Sequence, residues 1–526
     1  MKDTYDAIVV GGGIAGLTCA AYLCRNEIST LLVEKQEKPG GLVSTFWHEG
    51  FAFDAGARAF VNSGILHPMM KSLGIDMEYT NNPVSIGIGD HWVRLHSRES
   101  LQDYANMLKD IFPEYVVDVD RIINEIKKIM GYLDFLYGID NPLFLEDMRD
   151  KEYLTKTLLP WFIKYQKNIR KVAQLNEPVY TYLRKLTDNT ALIDMISQHF
   201  FEGTPTFFAL SYFGLYLDYF YPLGGTGALV EAITKKVVEA DGEILTNTSV
   251  TRIDPQGHEI VLSNGQKVRY KKLVWAADQS SLYKIVSGLN DSKVRQQRAL
   301  TEASTGSDSI YTLFLGVDLE KDYINERIGP HAFYTPNTQG LSKLGRWETA
   351  AKQGNDHLLE WVGSYLEKTT YEISCPSLRD ASLAPEGKTG MIVSSLMDYS
   401  LVRRFSDAGQ YDEFQQFCNQ KIIEVLERHL LPDLNKKTLF SFSASPLTIE
   451  RRTGSKQGAI TGWAFTNPKM PSVNQFSKVT QSIKTPIKDL AQCGQWTFSP
   501  SGVPISVLTG KLAADAVSKA LKRGLL

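Results

Sequence analysis

The spacing of apolar and polar positions changes along this chain in a way that marks its elements. Ile8-Val9-Val10 is a short unbroken apolar run, suited to a strand buried on both faces. Glycines follow, and from Ala15 to about Arg25 the apolar residues take helical spacing. Leu31-Leu32-Val33 is a second apolar run, closed by Glu34. From about Ser100 to Tyr221 the pattern is mostly helical with many lysines, and Asp120 to Ile129 is one amphipathic piece of it.

The character changes at Tyr221-Pro222-Leu223-Gly224-Gly225. A helix is predicted from about Ala228 to Ala240, then strands at Gly242–Thr246 and Ser249–Ile253. A hairpin runs from Ile260-Val261-Leu262 through Asn264-Gly265 to Lys267-Val268-Arg269, since Asn-Gly suits a type I′ turn. Leu273 to Asp278 is a further predicted strand. Residues 309–464 form a mixed α+β region whose clearest strands are Tyr311–Leu315 and Ile392–Leu396. Leu490 to Trp496 predicts a strand and turn, feeding a final helix from Val507 to about Arg523.

The first of these elements name a ligand. In Gly11-Gly12-Gly13-Ile14-Ala15-Gly16, Gly11 permits a tight turn and Gly13 lets backbone approach a pyrophosphate. Gly16 lets the helix pack closely on the strand, and the helix N-terminus favours anions. Glu34, about twenty residues on, is placed to accept hydrogen bonds from a ribose and would repel a 2′-phosphate. The ligand expected is NAD or FAD. The predicted fold class is α/β, with a Rossmann-like domain built from discontinuous segments, an α+β substrate domain and a helical insertion. The segments expected for the cofactor domain are 1–75, 224–300 and 470–526. Those expected for the substrate domain are 76–223 and 301–469, with 100–221 mostly helical and a candidate membrane-facing region.

Composition narrows the setting. At 526 residues the chain is long enough for two or more domains. A formal net charge of −2 argues against a general nucleic-acid binder. Cys19, Cys24, Cys375, Cys418 and Cys493 are few and scattered, with no metal-ligand spacing or disulfide framework. A reducing, cytoplasmic location follows as the expectation, with no signal peptide before the first strand and no apolar run of about twenty residues.

A longer series of motifs occurs in order: Gly11 to Gly16, Glu34, Gly40-Gly41, Phe53-Asp54-Ala55-Gly56, and Tyr221-Pro222-x-Gly224-Gly225. Val274-x-Ala276-Ala277-Asp278, the loop Arg379-Asp380-Ala381-Ser382-Leu383-Ala384-Pro385-Glu386-Gly387, Gly494-Gln495-Trp496 and Ser501-Gly502-Val503-Pro504 complete it. Together they resemble the FAD-dependent phytoene desaturase, carotenoid isomerase and retinol saturase group, within the amine-oxidase-like flavoproteins. The resemblance implies FAD at Gly11, Gly13, Gly16 and Glu34, with Ile14, Ala15 and Lys35 in the same set. It further implies that Gly40, Gly41 and Leu42 continue along the pyrophosphate, with Asp54 and Gly56 nearby. Val250 would present backbone to the adenine, and Gly494, Val503, Pro504 and Ile505 would lie against the distal phosphates and ring. It implies an oxidoreductase acting on carbon–carbon bonds of a long, carotenoid- or retinoid-like isoprenoid, as desaturase, saturase or isomerase.

Little separate chemistry is visible, with no metal set and no nucleophile motif. A flavin would carry the hydride while protein supplies orientation and a dry pocket. Cys493 suits a packed core position better than a covalent flavin link. Arg58 and Tyr221 are the candidate substrate-binding residues, Arg58 as an anchor for a polar head or as a loop-positioning ion pair. Aromatics crowd Phe200 to Tyr221, as core or as the wall of an apolar channel. Leu158 to Tyr165, continuing to Lys167, Arg170 and Lys171, suits a helix lying on a membrane surface or packed on its own domain. Gly224 to Gly227 lacks the context of a second dinucleotide site, so electrons are expected to pass to or from a quinone, oxygen or a diffusing nicotinamide. The alternatives are an amine-oxidase-like enzyme on a smaller amine and a non-catalytic lipid-binding flavoprotein.

Overall fold

The strand Thr4–Val10 is buried on both sides, because each of its neighbours brings a helix or loop to one face. It lies parallel to Thr30–Val33 on one side and to Lys267–Trp275 on the other, with Glu243–Leu245 parallel at the edge. Ala7, Val9, Leu32 and Val274 pack beneath the helices Ile14–Arg25, Gly227–Glu239 and Val503–Lys522. Ile8, Val10, Leu31, Val33, Leu273 and Trp275 face a second core. Covering both faces explains why the apolar runs do not alternate. The computed structural model describes residues 2–137, 139–145, 152 and 154–523.

Two sequence expectations change here. The hairpin arm at Lys267 and the strand at Leu273 are one nine-residue strand, Lys267–Trp275. Its first half alternates exposed and buried and pairs antiparallel with Glu259–Leu262, which in turn pairs with Val250–Asp254. Its second half is wholly buried and pairs parallel with Thr4–Val10 and Leu490–Gln492. The change of pattern reflects a change of partners within one strand. The final helix begins at Val503, four residues before the expected Val507. Pro504 sits in its first turn, where a missing N–H costs nothing.

A second seven-stranded sheet runs in the order Thr438–Ala444, Ser309–Val317, Thr389–Met397, Tyr371–Ser374, His331–Thr335, Val84–Ile88 and His91–Leu95. Every pairing in it is antiparallel except His331–Thr335 with Val84–Ile88. One face, with Tyr311, Leu313, Ile373 and Val393, packs on the helices Asn355–Leu366 and Tyr411–His429. On the other face Phe314 and Ile392 pack against Phe51 and Phe53 of the strand Phe51–Asp54, which pairs with Thr45–His48, and Ile86 and Phe333 pack against the helical segment.

That segment contains the helices Ser100–Ile111, Val116–Tyr137, Leu159–Ala173, Val179–Leu183, Thr190–Ser197 and Thr206–Tyr216, which share one core. Residues 138, 146–151 and 153 and the side chain of Arg170 lie outside the described residues. The aromatic run does not remain helical: Tyr219–Pro222 is a strand between Phe60–Val61 and Tyr79–Asn81. No helix among the described residues is long and apolar enough to cross a membrane.

Candidate functional site

A cavity of about 470 Å³ opens where the first strand ends. Of the residues singled out from sequence, Gly11, Gly13, Ile14, Ala15, Glu34, Lys35, Gly40, Gly41, Leu42, Gly56, Val250, Gly494 and Val503 line it. The glycines act here through the space they leave. Gly11 has φ +107°, and a side chain there would meet the Ala276 carbonyl oxygen at 2.8 Å. A Cβ on Gly16 would collide with the Gly11 carbonyl, so Gly16 permits the turn without touching the cavity. Gly13 has nothing within 4 Å of its Cβ position, leaving backbone open to the cavity.

Two helix N-termini border this space, Ile14–Arg25 through Gly13 to Ala15 and Val503–Lys522 through Gly502, Val503 and Ser506. Both favour negative charge. The buried Glu34 carboxylate is held by the N–H groups of Gly12 at 2.6 Å and Gln36 at 2.8 Å. Burial pushes the Lys35 ammonium down from its ordinary range, against the opposing charges of Glu34 and Asp278. Open backbone, paired helix dipoles and a terminal carboxylate fit an adenine dinucleotide such as FAD.

Sequence reasoning missed part of the wall. Arg452, Thr453, Gly454 and Ser455 close one side, with Trp496, Thr461 and Ile310 on another. Asp278, quoted only within a motif, joins these parts: its carboxylate accepts from the N–H groups of Ser281 at 2.9 Å and Lys456 at 3.0 Å. The signal available was the polar run Arg451-Arg452-Thr453 ending an amphipathic helix at Gly454.

Asp54, Arg58, Tyr221, Pro504 and Ile505 do not line the cavity. Asp54 is fully buried and joins three segments. Its carboxylate accepts from Thr45 Oγ1 at 2.8 Å, from the Thr226 N–H and hydroxyl at 2.9 Å each, and from the Tyr221 hydroxyl at 2.7 Å. The Arg58 guanidinium, also buried, donates to the Asp54 carbonyl and to Ser394 Oγ at 3.1 Å. Arg379 stacks over the Tyr221 ring at 3.8 Å and donates to the Arg58 carbonyl at 2.9 Å. Cys493 packs in the core against Cys19, whose thiol burial and its contact with Cys493 push well up.

This arrangement has known counterparts. The profile described as flavin containing amine oxidoreductase matches residues 14–374. The chain belongs to that family. It is therefore a flavin-dependent oxidoreductase, and the choice between NAD and FAD falls to FAD. Prolycopene isomerase 2 of an Oncidium hybrid cultivar is 23% identical over 544 residues, covering 98% of this chain and 84% of that one. The lycopene-forming phytoene desaturase of Pantoea ananas is 23% identical over 541 residues, covering 98% of each chain. Cyclohexylamine oxidase from Brevibacterium oxydans shares the fold, with a TM-score of 0.58 at 12% identity over 99% of this chain and 100% of that one.

Proposed function

We propose that this flavoenzyme changes the carbon–carbon bonding of a long hydrophobic isoprenoid polyene. The cofactor unit comprises 1–75, 224–300 and 470–526, and the substrate unit 76–223 and 301–469. The residues lining the 470 Å³ cavity hold FAD, with Glu34 at the ribose, Gly13 and the helix N-termini at the pyrophosphate, and Val503 nearer the ring. Bound FAD supplies a two-electron acceptor or donor. The chain's own residues position the substrate, exclude water and handle protons.

The observation that carries the reading is the sheet face that leaves the cofactor cavity. Ile310 lines that cavity and projects on the same face as Thr312, Ser394, Glu372, Phe333 and Ile86, which follow one another across the strands. Above this face stand the rings of His199, Phe200, Tyr212, Tyr216 and Tyr219 in a continuous series of contacts. A ring-lined strip leading from the cofactor suits a flat conjugated chain. The buried guanidinium of Arg58, with the partly buried Arg379 beside it, disfavours the ammonium group that the amine alternative requires.

The helix Leu159–Ala173 exposes Leu159, Phe162 and Ile163 beside Lys164 and Lys167. This composition supports docking on a membrane surface of a cytoplasmic, peripheral protein. Co-sedimentation with anionic vesicles tests that docking. Electrons pass to or from a diffusing quinone, oxygen or nicotinamide. Gly225 and Gly227 support this, since they pack against Thr45 and leave no open cradle for a second dinucleotide.

The deciding experiment is anaerobic mixing of the oxidised and photoreduced yellow protein with phytoene and with prolycopene in detergent. Bleaching or recovery of the flavin band, or a changed polyene by chromatography, is expected with at least one of them. If neither polyene is altered while small amines bleach the flavin, the amine alternative replaces this reading.

A further inference from the structure

Beyond Arg58, four segments build a chain of hydrogen bonds that ends on a carboxylate of the ring-lined strip. The Arg379 guanidinium donates to Asn82 Oδ1 at 2.7 Å and to Ser374 Oγ at 2.7 Å. Because the Asn82 oxygen is thus engaged, its amide NH₂ points to His331 Nδ1 at 2.9 Å. An acceptor at Nδ1 places the imidazole proton on Nε2, which donates to Glu372 Oε1 at 2.9 Å. His331 is 1% exposed, and burial lowers its pKa, so the ring stays neutral.

Glu372 differs from the rest of this chain of contacts. Its side chain keeps 31% of its surface accessible although protein surrounds and desolvates it. It stands on the sheet face shared with Ser394 and Phe333. Oε2 receives no hydrogen bond among the described residues. Burial pushes the carboxyl up, but the His331 bond and the charges of Arg58 and Arg379 outweigh this and leave it below the usual range. Around it stand Phe333 on the paired strand and, on the helical side, His199, Tyr212, Tyr216 and Tyr219. Burial pushes all three tyrosine hydroxyls up and the His199 ring down, to about 4. Glu372 is thus the anionic group among these residues, and its Oε2 carries no hydrogen bond among the described residues.

A carboxylate is costly in an apolar site unless paired, and here one oxygen is paired and the other left free. We propose that Glu372 is the proton carrier for the polyene reaction, with His331, Asn82 and Arg379 as its positioning residues. This rests on the reading of the substrate as a polyene. In the oxidative direction one C–H bond would break with its electron pair leaving as hydride, for which bound FAD would be the two-electron acceptor. The neighbouring C–H bond then breaks, its proton goes to Glu372 Oε2, and its electron pair becomes the new C=C bond. Glu372 becomes a neutral acid and releases the proton to water as product leaves. The reductive direction reverses each of these transfers. The carboxylate and the ring faces stabilise the positive charge that develops on the polyene between the two transfers.

The test compares the FAD-loaded wild type with E372Q and E372D, using phytoene and prolycopene in detergent. Flavin content, melting temperature and the polyene absorbance shift on binding are expected to be the same in all three. Turnover in E372Q is expected to fall by about 100-fold or more, with partial recovery in E372D. The acid limb of the wild-type pH–rate profile is expected to vanish in E372Q and to persist, displaced, in E372D. Wild-type turnover in E372Q with flavin and polyene bound overturns the proposal and leaves the polyene reading intact. Conversion of neither polyene by the wild type overturns that reading and the proposal with it. If E372Q loses flavin or fails to fold, E372D decides: an undisplaced acid limb overturns the proposal.

Discussion

The cofactor cavity and the Glu372 strip solve opposite problems. The cavity is walled largely by backbone, with glycines leaving room and helix N-termini supplying partial positive charge. The strip is walled by side chains, with tilted and edge-to-face rings over a sheet and a short hydrogen-bonded chain fixing one carboxylate. A backbone site tolerates change in most side chains but not in the few positions where backbone must pass close. A side-chain site is the reverse: its geometry depends on partners that can each be altered without moving the chain. Binding the same cofactor across a family needs the first kind, whereas choosing a substrate uses the second.

Three changes bear on that contrast. The largest effect is expected from Gly16→Val, whose side chain would collide with the Gly11 carbonyl. Flavin content on purification should fall at least about tenfold, read from the flavin absorbance band, since the turn must open by more than side-chain rotation allows. Retention of stoichiometric flavin would show that the cavity is not a backbone site.

The second effect is a loss of stability in acid originating on the strip. Burial holds His199 down to about 4 from its ordinary 6.5. Above pH 6.5 both folded and unfolded chains carry it neutral, and its contribution is complete. As pH falls from 6.5 to 4 the unfolded chain takes the proton first, so stability drops, by on the order of 3 kcal/mol at most. Melting temperatures measured across that window should fall less in His199→Phe than in the wild type. The smallest effect is expected from Tyr221→Phe, which removes the 2.7 Å bond to Asp54 and leaves a buried carboxylate oxygen unpaired. A cost of about 1–2 kcal/mol in denaturant unfolding is expected, with flavin content unchanged, because Asp54 and Tyr221 lie off the cavity wall.

The same contrast explains what was legible in the sequence. Gly11, Gly13, Gly16 and Glu34 stand within one strand–helix–strand unit, so spacing alone carries their roles. The family was legible because its motifs recur in order along nearly the whole chain. The start of the last helix was not, since Val503-Pro504-Ile505 carries no helical period of its own and Pro504 reads as a break. Lys267–Trp275 was divided in two because its alternation stops midway. Asn82, His331, Glu372 and Arg379 come from separate segments, with only His331 and Glu372 on paired strands, and each alone looks like a surface residue. The one local sign was a carboxylate inside the otherwise apolar Tyr371-Glu372-Ile373.

The wall contributed by Gly494, Gln495, Trp496, Gly502, Val503 and Ser506 has a consequence for biosynthesis. Ribosomes deliver Gly11 to Gly16 first and this wall tens of seconds later. The strand Leu490–Gln492 and the helix against Ile14–Arg25 arrive with it. Until then the nucleotide turn of a nascent chain lacks one of its walls. Flavin capture then becomes a checkpoint on translation, available only to chains read past Ser506.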